Sequence, residues 1–351
     1  MMSDLLQDAM QRLESSGHVL VTRLRYIGDV VLTLPLLRAL RAAYPNATLH
    51  YLAELPAIDV LLHHPDVDHL WTHRRGVGAG VRMAAALRRR RFTAAIDLFS
   101  NPRSALLVRA TGAPVRIGEN RRVRRVLYTH PRQLPPGRSA LQQHLDAGAL
   151  LGASNACTRA PQIHLSPVER ARGREWVDAL RRVQPVVLVH LGATQPEKEW
   201  PVELASAFVA RLIANDYAVV LSTAPQRPQP AVVVAEREPR ARRLPVLPLR
   251  ELLGVIAAAD AVVSVDGGIL HCSVALGRPT LALFGPTDAA AWFPYAAFGP
   301  YRVLRSHSGC GACVAAARAH TCMAALDVET VARRFAQLLE EAGVRGGAAS
   351  R

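Results

Sequence analysis

Lysine is almost missing from this chain. Forty-three residues are Lys or Arg, yet residue 198 alone is Lys, inside HLGATQPEKEWP (190–201). Heavy use of Arg beside much Ala fits a compositional bias, so a lysine kept against it calls for a reason. Lys offers a compact charge on a flexible stem where Arg offers a rigid planar fork, and a narrow site touching one phosphate favours the former. Aromatic residues are also few, at 5%, and no recognition motif accompanies the abundant Arg, which disfavours a nucleic-acid-binding protein. No apolar run approaches the roughly 20 residues of a membrane-spanning helix. The five cysteines are an odd number, and the start, MMSDLLQDAMQRLESSG, has neither the basic nor the apolar region of a signal peptide. Both point to a cytoplasmic chain without disulfides. Neither strand 18–24 nor strand 185–191 is followed by GxGxxG, which disfavours an NAD-dependent oxidoreductase, and the Walker GxxxxGK[ST] is absent as well.

What is present is a globular composition with a lopsided charge. The 351 residues are 50% hydrophobic, enough for two ordinary domains each with its own core. The formal net charge is +15, of which +11 falls in residues 1–160 and +4 in 161–351. Much of the excess sits in two clusters, Arg88–Arg91 and RRVRR at Arg121–Arg125. Each by itself reads as a solvated face. Their concentration in one half points to an anionic partner, a polyanion or a membrane surface.

Both halves alternate β-rich runs with amphipathic segments, the pattern of a parallel sheet covered by helices. Strands are expected at 18–24, 47–54 and 92–99, then at 185–191, 217–223, 261–265 and 280–285. A helix is expected between the first two strands, kinked at Pro35 or starting just before it. Others are expected near 140–151, at 202–215 and at 249–259; the rest of 100–165 reads as loops and short strands. The last, DVETVARRFAQLLEEAG, has Asp327 as N-cap and Gly343 as stop. Each half therefore reads as a doubly wound α/β domain, and the residues after the last helix read as a disordered tail.

In open α/β sheets ligands lie beyond the carboxyl ends of the strands, so three loops stand out. RLRYIGD leads from the first strand through Gly28 and Asp29, where a carboxylate serves as an N-cap or as a general base. GATQPEKEWP offers the small residues Gly192 and Ala193, the hydroxyl of Thr194 and the charge of Lys198, a phosphate site in kind. SVDGGILHC ends a strand at Asp266, and Gly267 and Gly268 open a helix N-terminus that favours an anion. A tight turn needing positive φ accounts equally well for the glycine pair. His271 reads as packed against that turn. Cys310, Cys313, His320 and Cys322 form a set able in principle to hold zinc, and read as reduced and structural.

With these loops located, the chain resembles the ADP-heptose:lipopolysaccharide heptosyltransferases of glycosyltransferase family 9. The resemblance runs from about residue 18 to residue 342. It rests on RLRYIGDVVLTLPLLRALRAAYPNATLHYL, on the GA and KEWP elements around Lys198, on VDGGILHCSVALGRPTLALFGPTDAAAWFP, and on the CGAC…HTCM ending. The family's KRWP reads KEWP here, which sets the negative charge of Glu199 beside the expected phosphate contact. The resemblance implies the GT-B fold: two facing Rossmann-like domains, 1–165 for the acceptor and 166–326 for the nucleotide-sugar, with a cleft between them. A C-terminal helix, 327–343, would pack back toward the first domain, followed by the tail 344–351. It further implies an inverting transfer without metal or cofactor, with Asp29 as base and Lys198 stabilising the leaving diphosphate. Gly192, Ala193, Thr194, Lys198, Asp266, Gly267, Gly268 and His271 would line the donor site. Arg121, Arg122, Arg124 and Arg125 would meet an anionic lipopolysaccharide core precursor at the cytoplasmic face of the inner membrane.

Overall fold

The computed structural model describes residues 4–180, 184–306 and 322–344. The chain divides into two units, Met1–His164 and Leu165–Arg351. The first holds a parallel sheet of β1 (His18–Thr22), β2 (Thr48–Glu54), β3 (His69–His73), β4 (Ala94–Asp97), β5 (Val115–Glu119) and β6 (His130–Arg132), in the order β3-β2-β1-β4-β5-β6. The second is built from β7 (Val186–His190), β8 (Ala218–Ser222), β9 (Arg242–Arg243), β10 (Ala261–Val265), β11 (Thr280–Phe284) and β12 (Tyr301–Arg305), in the order β12-β11-β10-β7-β8-β9. Counted from its own first strand, each sheet has the same winding. Its switch point falls between the first and fourth strands: β1 and β4 in one unit, β7 and β10 in the other.

The central strands are buried along their length, as β7, β10 and β11 are at every residue. Helices cover both faces of such a sheet, so these strands read as continuous Val-, Leu- and Ala-rich runs. The expected strands are all present. β3, β9 and β12 went unread because they are edge strands and short or polar, as in HLWTH and RR, whereas β5 and β6 are short strands of the kind expected within 100–165. The segment around Pro35 resolves into two helices, Ile27–Val31 and Leu34–Ala43, with Pro35 near the start of the second, where its missing N–H costs nothing.

The C-terminal helix spans Val328–Glu341, and the Asp327 carboxylate caps it by accepting from the Thr330 N–H. The helix belongs to the second unit. Its stripe of Val331, Phe335, Leu338 and Leu339 lies in the second unit's core with Phe208, Leu281 and Leu283. Phe335 meets Phe208 edge-on, 6.0 Å between centroids. Val344 packs against the same core; residues 345–351, expected as a disordered tail, lie outside the described residues, as do Cys310, Cys313 and His320. Cys157 and Cys272 are free thiols, and burial pushes Cys272 up to about 12.

Several histidines are folded in neutral. The Trp71 indole N–H donates to His50 Nδ1 at 3.1 Å, so the His50 proton sits on Nε2 and faces His18 Nδ1 at 3.0 Å. Burial, with His69 and His18 nearby, holds His50 down at about 3, and burial holds His144 at about 3 and His190 at about 4. A base whose folded value is depressed binds its proton more readily when unfolded. Its contribution is therefore whole above the unfolded value of 6.5 and shrinks as pH falls below it. Denaturant unfolding at stepped pH is expected to give constant stability above pH ~7. Below that, the loss should reach about 1–2 kcal/mol per buried histidine by pH ~5. A His50→Phe variant should show a shallower decline.

Candidate functional site

At the second unit's switch point the loops after β7 and β10 meet. Lys198 closes a single 3-10 turn, Pro196–Lys198, and its Nζ stands 2.7 Å from Asp266 Oδ2 at the end of β10. The ammonium engages one side of the buried Oδ2, and a carboxylate oxygen has lone-pair capacity for a second donor. Gly268–Ala275 follows as a helix whose N-cap, Gly267, supplies no side-chain hydrogen bond, leaving its first N–H groups open to a ligand. Gly267 has φ −178°, ordinary extended backbone. The positive φ offered as an account of the glycine pair is therefore not what it supplies.

The small residues of the preceding loop serve the packing. A Cβ on Gly192 would fall 2.0 Å from the Ala224 backbone nitrogen, so Gly is required where the loops after β7 and β8 cross. Ala193 is buried and Thr194 exposed. His271 is buried inside its helix with Nδ1 2.8 Å from the Tyr295 hydroxyl and the rings edge-on, so its ring faces the protein. Beneath the loop, His190 Nδ1 lies 3.0 Å from Ser222 Oγ and joins β7 to β8.

The sequence KEW ties these loops in three directions. Lys198 reaches the loop after β10. Glu199 turns instead to Arg227, in the loop after β8, and takes both Nε and Nη2 of its guanidinium. Trp200, fully buried, donates from Nε1 to the Leu326 carbonyl at 3.0 Å and sets its ring edge-on to Phe208. The charge that Glu199 brings beside Lys198 is thereby neutralised by a cation from another loop. Sequence reasoning missed Arg227; its signal was only its place after a strand, in TAPQRPQP.

In the first unit Asp29 lies at the third position of the short helix Ile27–Val31, with Tyr26 as its N-cap residue. It is thus not the N-cap itself, although it reaches back to accept from the Tyr26 N–H at 3.1 Å. Its other oxygen pairs with Arg23, whose guanidinium also donates to the Leu98 carbonyl and lies 4.8 Å from the Phe99 ring centroid. Each carboxylate oxygen thus has one partner and keeps lone-pair capacity for a proton. Across the switch point Asp97 ends β4, fully buried. Its carboxylate accepts from the N–H groups of Phe99 and Ser100 and from the Tyr128 hydroxyl, while burial pushes its affinity for a proton up. Asp97 was not singled out from the sequence.

The residues Arg121, Arg122, Arg124 and Arg125 lie in and beside the 3-10 turn Arg122–Leu127 that follows β5. Arg121 pairs with Glu119, and Arg124 is half-buried with its Nε unpartnered. Arg122 and Arg125 face solvent.

A model of glycosyltransferase family 9 (heptosyltransferase) matches residues 81–324. The chain belongs to that family. It is a glycosyltransferase with the GT-B architecture of two Rossmann-like domains. The lipopolysaccharide heptosyltransferase 3 of Escherichia coli is 27% identical over 290 residues, 78% of this chain and 84% of that protein. Among solved structures, a family 9 glycosyltransferase of Veillonella parvula aligns with a TM-score of 0.85 at 21% identity, covering 93% of this chain and 98% of the other. The ADP-heptose lps heptosyltransferase II of E. coli aligns at 0.79 and 24%, covering 92% and 98%. At those identities the two structures speak for the shared fold.

The Glu199–Arg227 pair yields a prediction of its own. In a double-mutant cycle with Glu199→Ala and Arg227→Ala, denaturant unfolding is expected to show a coupling of about 0.5–1 kcal/mol, modest because the pair is partly in solvent. Additive single effects would mean that the two side chains do not hold the loops together.

Proposed function

We propose that the chain moves a heptose from ADP-heptose to an anionic inner-core acceptor of lipopolysaccharide, by an inverting displacement that needs neither metal nor cofactor. The observation that carries this reading is the pairing of the only lysine with Asp266 beside an uncapped helix N-terminus, at the switch point of a family 9 chain. Supporting it, the E. coli relative at 27% identity is a lipopolysaccharide heptosyltransferase, and the E. coli structural neighbour is described as an ADP-heptose enzyme.

In this reading the donor's diphosphate takes Lys198 and the open N–H groups at Gly267 and Gly268. Asp266 then exchanges its ion contact for a hydroxyl of the donor, using the acceptor position left on Oδ2. Asp29 takes the proton of the attacking hydroxyl as the bond from C1 to phosphate breaks, with Arg23 and the Tyr26 N–H fixing the direction of its carboxylate. Lys198 stabilises the charge that grows on the leaving diphosphate. Gly192 and Ala193 shape the loop, Thr194 is left exposed to contribute its hydroxyl, and His271 supports the turn through Tyr295. Arg121, Arg122, Arg124 and Arg125 receive the acceptor's phosphates. The setting is the cytoplasm, peripheral at the inner membrane, with no nucleic-acid partner.

Calorimetric titration with ADP, GDP and UDP tests the donor. Selective ADP binding is expected, about ten- to a hundredfold weaker in Lys198→Ala and only partly restored in Lys198→Arg. Preference for another nucleotide would overturn the heptose reading. Asp29→Asn, which keeps an acceptor for Arg23 and the Tyr26 N–H, is expected to keep ADP binding and most of the thermal stability while turnover falls by about 10²–10⁴; turnover surviving in that variant would remove Asp29 as the base.

A further inference from the structure

Between Asp68 and Asp146 the chain contains two acidic residues, Asp97 and Glu119, and both are buried. The outer surface made by this stretch therefore exposes no carboxylate. Three successive connections form it: the helix Val77–Arg88 after β3, the helix Pro102–Ala110 after β4 and the turn Arg122–Leu127 after β5. The middle helix touches both of the others, and Arg88 lies over Gly112 at its end.

A helical layer on a sheet buries its apolar stripe and turns polar residues outward. This layer also turns apolar residues outward. Val77, Val81, Leu106, Val123 and Val126 are 88, 65, 60, 82 and 70% exposed, five of the eleven large apolar residues exposed among those described. Val77 and Val81 stand one helical turn apart on one face, and Val123 and Val126 eclipse in a 3-10 turn of three residues. The exposed Arg82 and Arg109 are interspersed with them.

We propose that this layer is the face on which the protein rests on an anionic lipid bilayer. The valines and Leu106 enter the headgroup boundary, and the arginines pair with lipid phosphates. A nucleic acid would use the charge but offers exposed valines nothing, since single strands are held by aromatic stacking and duplexes through their phosphates. A bilayer takes both kinds of group at once. No described helix is long and apolar enough to cross it, so the contact lies in the plane of the interface. The inference deepens the membrane partner named above and is independent of the donor, so its failure would leave the nucleotide titration untouched.

The test is sedimentation of the full chain with vesicles of phosphatidylcholine alone or mixed with phosphatidylglycerol. Binding is expected only to the anionic vesicles and should weaken with salt. The Val77→Asp/Val81→Asp/Leu106→Asp variant is expected to bind about tenfold or more weakly while its circular dichroism and ADP binding match the parent. A variant that binds like the parent overturns the proposal, as does binding to tRNA that equals binding to anionic vesicles and is unaffected in the variant. Val123→Leu and Val126→Leu give an opposite sign, each raising partitioning by up to about fourfold for its added methylene. No rise in either would also overturn it.

Discussion

The interaction on which the second domain's site depends is the divergence of three consecutive side chains, Lys198, Glu199 and Trp200. Within one short stretch after β7, the first is aimed at the loop after β10, the second at the loop after β8 and the third into the core. Parallel strands end side by side, but nothing in a parallel sheet holds their following loops to one another. Here an ion contact, a bidentate guanidinium pair and a buried indole do so. Trp200 supplies the fixed point, because its ring is wholly buried and its N–H is satisfied by Leu326. Directly before a buried and hydrogen-bonded residue, Lys198 and Glu199 have few positions open to them.

The first domain solves the same problem with different chemistry. The loop after β4 is organised around Asp97, a buried carboxylate that accepts from two backbone N–H groups and a tyrosine hydroxyl. The loop after β1 is organised by Arg23, which links Asp29 to the Leu98 carbonyl and so bridges the two strands that flank the switch point. In both units the acidic residue proposed for chemistry has a cation as its neighbour in the free protein. A carboxylate held this way is oriented before a ligand arrives, which lowers the ordering cost of binding.

Much of this was legible in advance. The alternation of β-rich and amphipathic runs located the central strands, because strands buried on both faces must be continuously apolar. The carboxyl-end rule then singled out the loops holding Asp29, Lys198 and Asp266. Edge strands such as HLWTH and the two-residue RR carry no such signal. Nor did position alone separate roles within a loop: Gly192 proved to be needed for contact with Ala224, Gly267 adopts a backbone open to any residue, and His271 faces Tyr295. The helix 328–341 was found with its cap and stripe, yet the surface that the stripe covers could not be read from periodicity.

The sequence by itself determined what depends on local order: strand and helix periods, caps, the surplus of Arg in the first half, and the kinds of chemistry available after each strand. Tertiary structure decided every pairing between distant loops. It gave Glu199 to Arg227, Lys198 to Asp266, Arg23 to Asp29, and buried both carboxylates of an otherwise cationic stretch so that its outer face was left without negative charge. The physical reason is that charge contacts act over a few ångströms in space, whereas the partners lie up to 68 residues apart in the chain. Only the winding of the sheet brings them within reach.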